Sequence, residues 1–81
     1  MHELSLAQGL LSQLEQLAAD NNATTVLIVQ VDIGKDAGIV IDSFTFGFNA
    51  IKIEVPLTKQ AKLIISQTEG NDLILTRVKM E

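Results

Sequence analysis

The residues with the most chemistry stand at the start of the chain, in Met1-His2-Glu3. His2 is the only histidine among 81 residues, and it adjoins the amine of Met1. That amine nitrogen, the backbone amide nitrogen of His2 and a ring nitrogen of His2 can close two fused chelate rings on one metal ion. A planar, all-nitrogen donor set suits Ni(II) or Cu(II), whereas Mg(II) and Ca(II) take oxygen ligands. Glu3 offers a fourth donor, either its carboxylate or its backbone nitrogen. Each residue also has a plainer role. Glu3 at the first turn of a helix would interact favourably with the helix dipole, worth about 0.3–1 kcal/mol, and His2 would be a solvated side chain near a chain end. Protons compete for the metal site. A terminal amine titrates near ~7.7–8 and an imidazole near ~6.5, so affinity is expected to fall steeply below neutral pH.

No other constellation carries comparable chemistry. Asp32, Asp36 and Asp42 fall in one region, yet no His, Lys or Ser is spaced to make an acid–base pair with them. With one histidine and no cysteine, the chain is not expected to be an enzyme. Gly34 and Gly38 bracket a loop without phosphate-binding spacing, so turn geometry is their expected role. Phe44 and Phe48 are expected in the core, leaving Phe46 as the candidate exposed aromatic.

Composition bounds the rest. With 47% hydrophobic and 20% charged residues, the chain is expected to fold as one small domain with a real core. The absence of cysteine excludes a disulfide framework, a zinc knuckle and a thiol nucleophile. No apolar run is long enough to span a bilayer and no secretory signal precedes one, so the expected compartment is the cytoplasm and no membrane partner is expected. Net charge is -4 and the six bases are sparse, which argues against nucleic-acid binding.

Positioning elements follow from the periodicity. Leu4, Ala7, Leu10, Leu11, Leu14, Leu17 and Ala18 recur at three- and four-residue steps, predicting a helix over Leu4–Asp20 that Asp20-Asn21-Asn22 ends. Thr24–Ile33 alternates as a strand, with Leu27, Val29, Val31 and Ile33 on one face and Ile28, Gln30 and Asp32 on the other. A second helix is predicted from about Asp42 to Lys52, capped by Asp42 or Ser43, although Phe44, Phe46 and Phe48 also alternate like a strand. Beyond Pro56, Ala61–Thr68 and Leu73–Met80 read as strands joined by a tight turn at Glu69-Gly70-Asn71-Asp72, and hence as antiparallel neighbours. The expected fold is α+β: two helices packed on one face of a three-stranded mixed sheet, in the order helix-strand-helix-strand-strand. The first two strands should run parallel, either adjacent or with the last strand between them.

These residues also carry a resemblance. Met1-His2-Glu3-Leu4-Ser5-Leu6-Ala7, then Val31-Asp32-Ile33-Gly34 with Gly38 soon after, is similar to the HypA/HybF hydrogenase maturation nickel chaperones. Asp42-Ser43-Phe44-Thr45-Phe46-Gly47-Phe48 resembles that family's second helix, and Ala61-Lys62-Leu63-Ile64-Ile65 and Leu73–Glu81 resemble its later strands. The resemblance implies Ni(II) as the metal, held by Met1, His2 and Glu3, and delivery during [NiFe]-hydrogenase or urease maturation. It implies a maturation GTPase or the hydrogenase large subunit as partner. Members of the family join this nickel-binding α/β domain to a zinc module with two Cys-x-x-Cys pairs, placed between the second and third strands. Here Glu69-Gly70-Asn71-Asp72 simply turns at that point. Residues 1–81 therefore look like a single nickel-binding domain lacking the zinc-binding insertion between about 68 and 73, with no zinc expected. The rival reading is a HypA-like interaction or regulatory module that binds no metal. A homodimer through an exposed sheet edge is a further option.

Overall fold

The computed structural model describes residues 3–81; Met1 and His2 lie outside the described residues. The first helix, α1 (Glu3–Asp20), starts one residue earlier than the periodicity alone places it and buries Ala7, Leu10, Leu14 and Ala18. Steps of three and four put those four side chains in one stripe. The helix stops where Asn22 takes a left-handed φ of 53°. The N–H of Ala23 then donates to the Ala18 carbonyl at 2.8 Å and that of Asn22 to Ala19 at 3.3 Å, the paired bonds by which a left-handed residue satisfies the last carbonyls of a helix.

Three strands follow, β1 (Val26–Gly34), β2 (Lys62–Thr68) and β3 (Leu73–Met80), with α2 (Ile41–Lys52) between the first two. The α+β fold and its order of elements are as expected, and the phenylalanine segment is helical. The expected pairing of the last two strands fails. The strands lie in the order β2-β1-β3, so β2 and β3 are not neighbours. β1 sits between them, parallel to β2 and antiparallel to β3. The segment from Glu69 to Asp72 passes over the end of β1 instead of closing a hairpin. The N–H of Gly34 donates to Asp72, that of Lys35 to Thr68 and that of Asp36 to Gly70, each at 2.8 Å. A Cβ on Gly34 would lie 2.4 Å from the Gly70 oxygen, so only glycine lets the crossing lie this close.

Both helices cover one face of the sheet. Phe44 and Phe48 of α2 join Leu10 and Leu14 of α1 over Val29, Val31 and Ile33 of β1, all within one buried cluster. Two bulges adjust the alternation. At Leu27 the register to β3 shifts, so Val26 is buried and Leu27 is not part of the core, contrary to the strict alternation expected for it. At Thr76 a second shift puts Thr76 and Arg77 outside while Leu75 and Val78 stay in. Beyond α2 the chain is pinned by the fully buried Thr58, whose hydroxyl donates to the Lys52 carbonyl at 2.8 Å. Among the described residues no helix is long and apolar enough to cross a membrane.

Candidate metal centre at the N-terminus

Glu3, the first residue of α1, is fixed by the start of the other helix. Its Oε2 accepts a hydrogen bond from the backbone N–H of Val40 at 3.2 Å. Val40 is the N-cap of α2, with φ -80° and ψ 107°, and its own side chain makes no capping bond. The capping role expected of Asp42 or Ser43 therefore falls elsewhere: both lie inside the first turn, one and two residues after Ile41. A carboxylate supplied across the helix pair occupies the place where N–H groups point outward and the dipole favours negative charge. Phe44 N–H donates to the Val40 carbonyl at 3.0 Å, so the same residue opens the helical ladder.

The two helices meet at this end. A Cβ on Gly47 would stand 3.6 Å from Leu4 Cδ1 and 3.7 Å from Leu4 Cα, so α2 runs directly against the first turn of α1. Beside the contact lies a shallow groove of about 530 Å³ whose walls include Glu3, Leu4, Phe46 and Ile51. Phe46 is 78% exposed at its rim, while Phe44 and Phe48 are fully buried, as their spacing suggested.

Of the three expected ligands, the structure positions Glu3; Met1 and His2 lie outside the described residues. Asp32, Asp36 and Asp42 are not drawn together. Asp32 is half-buried on the sheet, whereas Asp36 and Asp42 are exposed in the loop and on α2. Among the described residues no three His, Cys, Asp or Glu side chains form a group able to hold a metal ion. The anchoring of Glu3 by Val40 was not legible in the sequence. It joins residues 37 positions apart through a backbone N–H, which leaves no mark in residue type.

Residues 1–72 match a family model described as hydrogenase/urease nickel incorporation, metallochaperone, HypA. The chain belongs to the HypA family. Hydrogenase maturation factor HypA of Xanthobacter autotrophicus is 32% identical over 71 residues, which cover 88% of this chain and 62% of that protein. The factor of the same name from Campylobacter jejuni is 38% identical over 65 residues, covering 80% and 57%. That of Francisella philomiragia is 42% identical over 65 residues, covering 80% and 56%. The chain thus spans about three-fifths of the length of these HypA relatives. The solution structure of the Ni metallochaperone HypA from Helicobacter pylori superposes with a TM-score of 0.79 at 20% identity, over all of this chain and 94% of that one, and establishes a common HypA fold. Met1-His2-Glu3 falls within the segment that the family model matches.

Proposed function

We propose that this HypA-family chain carries Ni(II) at its N-terminus as cargo for [NiFe]-hydrogenase maturation in the cytoplasm, with urease as a second destination. Residues 1–81 form a single nickel-binding α/β unit in which a short crossing segment replaces a zinc-binding insertion between β2 and β3. The Met1 amine, the His2 amide nitrogen and the His2 ring supply three donors, and Glu3 supplies the fourth. The observation that carries this reading is the anchoring of Glu3. With Oε2 engaged by Val40, the residue after His2 is held in the fold, directly beside the proposed donors of Met1 and His2. The first N–H groups of a helix have no acceptor within it, so using a backbone nitrogen here as a donor breaks no helical bond.

Delivery requires that the cargo leave as well as bind. A site built on the first three residues would be open to an incoming ligand from a recipient, which joins before the terminal donors depart. The partner proposed for this chain is a hydrogenase maturation GTPase or the hydrogenase large subunit. Titrating untagged protein and its His2→Ala variant with Ni(II) tests the assignment. The native chain is expected to develop metal-dependent absorbance that the variant lacks. The exposed Phe46 beside the groove favours a second reading, a HypA-like interaction module without nickel. Absence of Ni(II) uptake by the native chain selects it.

A further inference from the structure

The face of the sheet away from the helices has a composition unlike the rest of the molecule. Register places three rows across it: Lys62–Ile28–Lys79, Ile64–Gln30–Arg77 and Ser66–Asp32–Ile74. Strands lie about 4.8 Å apart, so each row is a set of cross-strand neighbours. This face carries three of the chain's six bases and only Asp32 among its ten acids, although net charge is -4. Among the described residues the one ion pair joins Lys35 to Glu69, so Lys62, Arg77 and Lys79 are not neutralised by a described carboxylate. Between them Ile28, Ile64 and the 52%-exposed Ile74 stay outside the core cluster.

We infer that this open face docks a partner protein that presents aliphatic side chains within a rim of carboxylates. Charge complementarity selects that occupant. A second copy stacked face to face would oppose the same three cations against themselves, which like-charge repulsion disfavours. An anionic lipid surface would meet cations but no interfacial aromatic, because the exposed Phe46 belongs to the helix layer on the other side. Docking here leaves the start of α1 uncovered, so a partner held on the sheet and an acceptor approaching the N-terminus occupy opposite layers. The docking claim itself does not depend on nickel being the cargo.

The test uses the isotope-labelled full chain and two helical peptides that share one leucine face, one rimmed by glutamate and the other by lysine. The glutamate peptide is expected to shift the amide signals of Ile28, Gln30, Ile64 and Arg77, with binding that weakens as salt rises. Lys62→Glu with Lys79→Glu, both exposed positions, should reduce its affinity by about tenfold and confer binding of the lysine peptide, with the circular dichroism spectrum unchanged. Equal binding of both peptides, binding of neither, or shifts confined to Leu4 and Phe46 overturns the inference. So does stronger binding to phosphatidylglycerol vesicles than to the glutamate peptide, which assigns the face to a membrane. Self-association that the double variant abolishes assigns it to a second copy and equally overturns it.

Discussion

Glu3 serves two elements at once, and its replacement separates them. Glu3→Ala removes the acceptor of the Val40 N–H and should destabilise the fold by about 0.5–2 kcal/mol in urea unfolding, the range of a lost helix cap. Glu3→Gln keeps a carbonyl acceptor and should lose less. If the fourth donor is the Glu3 backbone nitrogen, nickel affinity survives Glu3→Gln; a collapse of affinity assigns the carboxylate instead. The nitrogen donors must shed protons to bind, so uptake should weaken as pH falls through neutrality and recover as it rises, which a titration series reads directly. Gly34 makes the opposite kind of demand. An added Cβ would meet backbone atoms of Gly70 and Asn71 at 2.4–2.8 Å, so Gly34→Ala should cost about 1–3 kcal/mol as the crossing segment is pushed off β1.

Among the elements, the helices were the most legible in sequence. Ala7, Leu10, Leu14 and Ala18 announce a buried stripe by spacing alone, and the helical pair Phe44 and Phe48 outweighs the competing alternation through Phe46. The strands were legible as strands but not in their neighbours. A short polar link such as Glu69 to Asp72 ordinarily closes a hairpin, and nothing local says that β1 lies between its two ends. The Leu27 bulge was equally hidden, because it depends on the register against β3. Gly9 offers a test of local propensity free of packing. It lies in α1, and an added Cβ there meets nothing within 4 Å, so Gly9→Ala should stabilise the protein by about 0.8–1 kcal/mol. Phe44→Ala should cost about 3–5 kcal/mol, since the side chain is fully buried between both helices and the sheet. Both values are read from unfolding midpoints.

The whole molecule divides into two layers: a helix layer in which α1 begins at Glu3, next to the proposed metal donors, and a sheet face that concentrates cations and isoleucines. HypA membership accounts for the fold and brings nickel into view; that Met1, His2 and Glu3 take the metal is the proposal to be tested. The most direct test leaves every side chain intact and blocks a single nitrogen. Native-start protein and the same chain acetylated at the Met1 amine are titrated with Ni(II) at mildly alkaline pH. The native chain should show the visible absorbance of a square-planar nitrogen site, and acetylation should abolish that signal and weaken binding by at least about tenfold. Equal affinity and the same spectrum in both proteins would contradict the account.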